Sequence, residues 1–277
     1  MKILCIGDVV SREGVELLER RLPRLRREFQ ADAVIVNGEN SALGNGIDLA
    51  AYEAIMAAGA DVVTGGNHSF QKKSALELHE EQKRIIRPAN ATAYTAGRGE
   101  ITLDFGRERL RVINLSGSLY MNECENPFEC VQRLLQGETD GNRENYGWQR
   151  MPDGGVIDTS AVTVVDFHAE ATSEKRALGF FLDGHVSLVF GTHTHVQTND
   201  AQILPCGTGY ITDIGMTGAK TAVLGKAVEC CVNNFRYPRE RSKITDGRGA
   251  CILSGVFASI DPVSKKCTDI RLVSVDK

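Results

Sequence analysis

The sequence is short of several things. Its eight cysteines include no C-x-x-C pair, it has a single tryptophan, and Lys+Arg number 32 against Asp+Glu 36, a formal charge of −4. Cys5 sits inside an apolar run, so the thiols read as reduced, small core hydrophobes, and a zinc-thiolate site is not expected. Without a basic excess or an Arg/aromatic stripe, long nucleic acid is a poor partner. No apolar run approaches the roughly 18 residues of a membrane span, so no membrane partner is expected. "MKILCIGDVV" has one lysine and a short apolar run where a signal peptide would need a longer one. It reads as a first buried strand, with the cytoplasm as the default compartment. Internal repeats and low-complexity tracts are absent as well.

What is present is an alternation of short apolar runs and amphipathic segments over 277 residues, enough for one large α/β domain. Strands are expected at Lys2–Ile6, Ala33–Val36, Asp61–Thr64, Ile101–Phe105, Leu110–Leu115, Ala161–Val165, Val186–Phe190, Tyr210–Thr212, Cys251–Ile260 and Asp269–Val275. Helices are expected at Val15–Leu22, Leu49–Ala58, Lys73–Glu81, Pro127–Leu135, Ser173–Leu182 and Ala222–Phe235, with Pro23 ending or kinking the first. The first half reads as βαβαβ with a parallel sheet, and the later half adds two hairpins. The expectation is a single mixed α/β domain spanning 1–277, with two packed sheets. A polar, glycine-rich surface excursion at 137–157 carries the only tryptophan.

Polar residues follow these strands in a repeated way. Gly7-Asp8 follows the first, Asn37-Gly38-Glu39-Asn40 the second, and Gly65-Gly66-Asn67-His68 the third. Further on come Asp166-Phe167-His168 and Gly191-Thr192-His193-Thr194-His195. In a parallel sheet these strand ends share one rim, where open α/β sheets place ligands. Taken singly, Asp8 is an ordinary turn residue and His168 an ordinary core histidine. Together they deliver Asp, Glu, Asn and His to one place from five segments, and four of the six histidines are among them. The remaining two, His79 and His185, are expected on helical or loop surface. Imidazole, carboxylate and amide oxygen without thiolate suit iron, manganese, zinc or cobalt. The number of such groups exceeds what one ion needs and is the composition of a two-metal site.

These motifs resemble the calcineurin-like metallophosphoesterase superfamily. Within it, "IGDVV", "NGENSALGNGI", "GNHSF", "DFHAEATSEK", "GTHTHVQT" and "TDIGMTG" are most similar to the bacterial 2′,3′-cyclic-nucleotide 2′-phosphodiesterase family, from residue 1 to about 275. The resemblance implies an α/β/β/α sandwich of two mixed sheets flanked by helices. It implies two divalent or trivalent transition-metal ions, iron or manganese ahead of zinc or cobalt. Asp8, Glu39, Asn40 and His195 would hold one, and Glu39, Asn67, His168 and His193 the other, with Glu39 bridging. Val10 replaces the histidine of the superfamily's D-x-H, a place that Asn40 fills in this branch. Phe70 stands where tryptophan is more usual and Ala219 where proline is common, and the 137–155 loop is long for the family.

The implied reaction is in-line attack on phosphorus by a hydroxide between the ions, with His68 as general acid for the departing ribose oxygen. The substrate would be a small phosphodiester: a 2′,3′-cyclic nucleotide, with 3′,5′-cyclic nucleotides and artificial diesters tolerated. Asn114, Ser116, Thr172 and the 119–128 segment are candidate pocket walls. A phosphomonoesterase or protein phosphatase on the same scaffold, a non-catalytic metal-binding regulatory protein, and a ribonuclease stay open as alternatives. So does association into a homo-oligomer.

Overall fold

A computed structural model of the chain describes residues 1–92, 96–136 and 160–276. The excursion expected at 137–157 lies outside the described residues. The first half alternates as read: β1 (Lys2–Ile6), the two-residue β2 (Asp8–Val9), α1 (Ser11–Glu28), β3 (Ala33–Asn37), α2 (Leu49–Ala57), β4 (Val62–Thr64), α3 (Ala75–Glu81) and β5 (Ile85–Ile86). Next come β6 (Glu100–Asp104), β7 (Arg109–Ser116), α4 (Pro127–Leu135), β8 (Val162–His168), α5 (Thr172–Phe181) and β9 (Leu188–Thr192). The chain closes with β10 (Gln202–Ile203), β11 (Gly209–Ile211), β12 (Met216–Ala219), α6 (Val228–Arg236), β13 (Cys251–Ile260) and β14 (Cys267–Asp276).

Two mixed sheets result. One runs β2-β12-β13-β1-β3-β4-β5, with β14 paired to β13, and the other runs β10-β11-β9-β8-β7-β6. β1, β3, β4 and β5 are parallel, as are β7, β8 and β9, while both expected hairpins are antiparallel. Successive side chains of a strand face opposite sides, which explains why the apolar runs are continuous. Ile3 and Cys5 face inward to meet Val112, Val164, Leu188 and Phe190 of the other sheet. Leu4 and Ile6 face outward onto Leu17, Leu18 and Leu22 of α1. On the far side, Ile113, Val165 and Val189 pack against Val131 of α4 and Leu178 of α5. The layers are therefore α/β/β/α.

Three local expectations are corrected. α1 does not stop at Pro23 but continues to Glu28. An interior proline costs about 3 kcal/mol, and the next turn offsets that. Leu25 is buried there, and Arg26 donates to the Gly59 and Asp32 carbonyls and pairs with Asp61. α6 begins at Val228 rather than Ala222, because Leu224 and Gly225 adopt positive φ and cannot continue a helix. His79 is buried, not on the surface, whereas His185 is half-buried.

Candidate metal centre

The C-terminal ends of β3, β4, β8 and β9 and the turn after β1 reach one rim. β8 extends through Asp166, Phe167 and His168, and β9 through Gly191 and Thr192, so His168 lies on a strand and is fixed by its ladder. Close approach of these segments needs glycine, as Gly7 and Gly66 show. A Cβ on Gly7 would lie 1.9 Å from the Gly215 carbonyl oxygen. One on Gly66 would lie 2.3 Å from Glu39 Oε2 and 2.4 Å from the His168 ring, filling the centre of the cluster.

The structure brings all seven candidate ligands together. His168 Nε2 is the focus: Glu39 Oε1 and Asn67 Oδ1 each lie 2.9 Å away, and His193 Nδ1 lies 3.1 Å away. Among the described residues, ligand-type atoms of Glu39, His168 and His193 all fall within 4.8 Å of one another. Asp8 and His195 sit beside them, with Asp8 Oδ1 3.8 Å from His195 Nε2 and 3.9 Å from His168 Nδ1. Asn40 Nδ2 donates to Glu39 Oε1 at 3.2 Å and lies 3.4 Å from His195 Nε2, so its amide must reverse to offer oxygen to an ion. His68 is half-buried. Its backbone N–H donates to Glu39 Oε2 at 2.9 Å, and its ring Nε2 lies 3.4 Å from the Asn67 amide nitrogen.

Each of the three inner histidines has its outer nitrogen held by an oxygen. His168 Nδ1 meets Thr192 Oγ1 at 2.9 Å, and that hydroxyl donates to Asp166. His193 Nε2 lies 3.1 Å from the Glu170 carboxylate, and His195 Nδ1 donates to the Leu224 carbonyl at 3.2 Å. The opposite nitrogens, His168 Nε2, His193 Nδ1 and His195 Nε2, therefore point their lone pairs at Asp8 and Glu39. Asn40 and the His68 N–H donate to Glu39 and the His193 N–H to Asp8 Oδ2, but the imidazole lone pairs and the remaining carboxylate oxygen still converge and repel one another unless a cation or a proton intervenes. Asp8 Oδ1, fully buried, has no hydrogen-bond partner among the described residues. The donor set thus fits transition-metal ions.

The electrostatics agree. Burial alone would raise Glu39, but the His168 imidazole and the His68 ring and N–H hold its carboxyl down to about 2. Burial works against a charge on His168, and Glu39, Asp8 and Asp166 outweigh it, raising the ring to about 9. Burial and the neighbouring His168 push His193 down to about 3. Burial raises Asp8, partly countered by His195 and His168. A single proton on His168 is how the cluster balances its carboxylates without metal, and metal binding would displace it.

Sequence reasoning missed the layer beneath. His193 and His195 both have positive φ, 97° and 64°, costing on the order of 1–3 kcal/mol each. Thr194 between them is tied down: its N–H and hydroxyl donate to Asp213 Oδ2 at 3.2 and 2.7 Å. Buried Lys175 donates to the same oxygen at 2.7 Å, and Gly215 N–H to Oδ1 at 2.8 Å. Asp166, raised to about 6 by burial despite hydrogen bonds from Thr64 and Thr192, braces His168. Asp166, Glu170 and Lys175 all lie within "DFHAEATSEK" and Asp213 within "TDIGMTG". The signal was in the motifs, but nothing along the chain said that they meet. Of the expected pocket walls, Asn114 is instead fully buried, its amide joining Gly65 N–H to the Asp166 carbonyl. Thr172 starts α5, away from the cavity that Ser116 lines.

Known proteins resemble this chain along its full length. A profile described as "YmdB-like protein" matches residues 4–273. A Bacillus subtilis protein named 2′,3′-cyclic-nucleotide 2′-phosphodiesterase is 37% identical, the match covering 100% of this chain and 97% of that one. A crystal structure of a hypothetical protein from Thermus thermophilus superposes with a TM-score of 0.87 at 34% identity, with both chains covered in full. A phosphatase from Mycoplasma pneumoniae superposes with a TM-score of 0.87 at 32% identity, covering 100% of this chain and 93% of that one. A Staphylococcus aureus protein titled as a putative 5′-nucleotidase, 14% identical with a TM-score of 0.57, shares the fold. The resemblance read from the strand-end motifs thus holds, and the chain belongs to the YmdB-like family of metallophosphoesterases.

Proposed function

We propose that the chain is a metal-dependent phosphodiesterase with two transition-metal ions, iron or manganese first, acting on 2′,3′-cyclic nucleotides. The observation that carries this is the convergence of three imidazole lone pairs on Glu39 and the partnerless Asp8 Oδ1, around the space that Gly66 leaves. The name of the Bacillus subtilis relative supports the substrate class. Asp8, Glu39, Asn40 and His195 would hold one ion, and Glu39, Asn67, His168 and His193 the other. Bound there, the ions would supply an activated water nucleophile and neutralise charge on the phosphoryl oxygens.

The chain's own groups do the rest. Thr192, Glu170 and the Leu224 carbonyl fix the three histidine tautomers, so the imidazoles are already oriented for an ion and Asn40 has only to turn its amide. Glu39 holds the His68 backbone and so fixes where its ring stands. From there His68 gives a proton to the departing 2′ oxygen, leaving a 3′-nucleotide. Because recognition of the phosphodiester rests on the metal ligands, 3′,5′-cyclic nucleotides and artificial diesters are accepted too.

Elemental analysis of purified protein, with hydrolysis of adenosine 2′,3′-cyclic phosphate and identification of the product isomer, tests the reading. Two ions per chain and 3′-AMP are expected. One ion or none overturns the two-metal site, and every phosphodiester left intact by the metal-loaded chain overturns the reading in favour of a non-catalytic metal-binding protein.

A further inference from the structure

Beside the cluster the surface sinks into a cavity of about 150 Å³. It starts at Asn67, whose Oδ1 also touches His168, and continues past Phe70 and Pro88 to Ser116, Asn122 and Glu123. Its walls come from three separate segments that are bonded to one another. Buried Asn90 donates to the Ser116 and Glu125 carbonyls, both at 2.8 Å, and accepts from Ser116 N–H. Asn122 donates to the Asn67 carbonyl at 3.3 Å, and buried Glu174 accepts from the N–H and the hydroxyl of Ser118. The cavity is therefore formed before any ligand arrives.

Its size and lining narrow the occupant. Pockets for whole drug-sized ligands run to roughly 300–1,000 Å³, whereas a cavity near 150 Å³ holds a single aromatic ring. Phe70, whose ring also packs against His79, and Pro88 give the lining its apolar part. Among the described residues the Glu123 carboxylate pairs with no cation or hydrogen-bond donor, so the wall repels a second phosphate or carboxylate. What fits is an uncharged planar heterocycle attached to a phosphodiester at the cluster.

We propose that this cavity takes the nucleobase of the substrate, stacked on Phe70. The proposal rests on the phosphodiesterase reading above. It makes Phe70 a specificity-determining residue that acts on binding of the base, one ribose away from the chemistry. Base–aromatic stacking is worth about five- to 150-fold in binding.

The test compares KM of the metal-loaded chain for adenosine 2′,3′-cyclic phosphate and for ribose 2,3-cyclic phosphate, which lacks the base. The wild type is expected to favour the nucleotide by at least about fivefold, and Phe70→Ala to bring the ratio near one. Because the Phe70 ring lies 4.8 Å from that of His79, Phe70→Leu serves as a variant that keeps apolar bulk while removing the stacking face. A ratio near one in the wild type, or one unchanged in both variants, overturns the proposal.

Cys124 gives a readout that needs no turnover. Its thiol lines the cavity and lies 3.4 Å from the Gly117 carbonyl. Burial, with Glu174 and Glu125 nearby, raises it to about 11, so methylthiolation by methyl methanethiosulfonate is followed at alkaline pH by peptide mass spectrometry. Millimolar adenosine, but not ribose, is expected to slow labelling of Cys124 several-fold in the wild type and not in Phe70→Leu. No protection by adenosine overturns the nucleobase cavity whatever the chain hydrolyses. Protection with neither ester hydrolysed leaves the cavity standing and removes the phosphodiesterase reading.

Discussion

His168 on the rim and His79 on α3 are both buried, and they hold protons in opposite ways. Carboxylates raise His168 to about 9 against its burial, whereas burial and the Arg87 charge lower His79 to about 4. Residue type and depth are the same, so the difference lies in what faces the ring. Around His168 stand Glu39, Asn67 and His193 at 2.9–3.1 Å. Around His79 stands the Phe70 ring, and neither nitrogen has a hydrogen-bond partner among the described residues. A buried histidine surrounded by anions is prepared for a cation, while one packed on an aromatic ring with an arginine charge nearby is kept neutral.

The largest effect comes from taking the carboxylate away. Glu39→Gln is expected to lower kcat/KM by about 1,000-fold or more, beyond the roughly 10–100-fold typical of groups behind a ligand. Elemental analysis should show metal lost, and the His168 ring, followed by NMR in the metal-free protein, should titrate lower than in the wild type. Unchanged metal content would break the contrast between the two histidines. His68→Ala comes next, at about 100-fold on a cyclic nucleotide. Its defect should shrink on an ester with a p-nitrophenolate leaving group, which needs no proton.

The layer beneath the ligands separates these roles further. Asp213→Asn is expected to cost about 10–100-fold in metal affinity, because Thr194 then holds His193 and His195 less firmly in their left-handed conformation. It also leaves Lys175 without its carboxylate, at about 3–5 kcal/mol of stability. Thr194→Val keeps that ion pair, so it should lose metal affinity while staying near wild-type stability in denaturant titrations. Equal metal affinity in Thr194→Val and the wild type would show that the corner holds itself.

Much of this was legible in the sequence because strand ends are local. Gly7-Asp8, Gly38-Glu39 and Gly65-Gly66-Asn67 each announce a strand stopping, and a parallel sheet must gather such ends on one edge. The layer order follows from runs such as Lys2–Ile6, apolar on both faces. What stayed hidden depends on contacts far apart in the chain. Lys175 meets Asp213 across 38 residues, and Thr64 meets Asp166 across 102. The strands β2, β5, β10 and β12 are two to four residues long, too short for periodicity to register. At Pro23 a local rule is outweighed by the burial of Leu25 and the anchoring of Arg26, neither of which a sequence window shows.

The smallest effect tests the other histidine. His79 sits at about 4 when folded, against 6.5 for the free ring, so acid favours the unfolded chain, which takes up the proton more readily. The stability tied to its neutral form is complete above pH 6.5 and is lost as pH falls toward 4. Between about pH 7.5 and 4.5 this amounts to about 2–3 kcal/mol. Glu39, depressed to about 2, begins to act in the same direction only below its ordinary value of 4.5, and Asp166, raised to about 6, acts oppositely. The comparison that isolates His79 is therefore between proteins rather than between pH values. His79→Leu has similar bulk and no proton to gain, so it should lose about 2–3 kcal/mol less than the wild type over the same interval in urea titrations. Equal losses in the two proteins would mean that the His79 ring finds a charged partner when it protonates, and the contrast with His168 would then be one of degree.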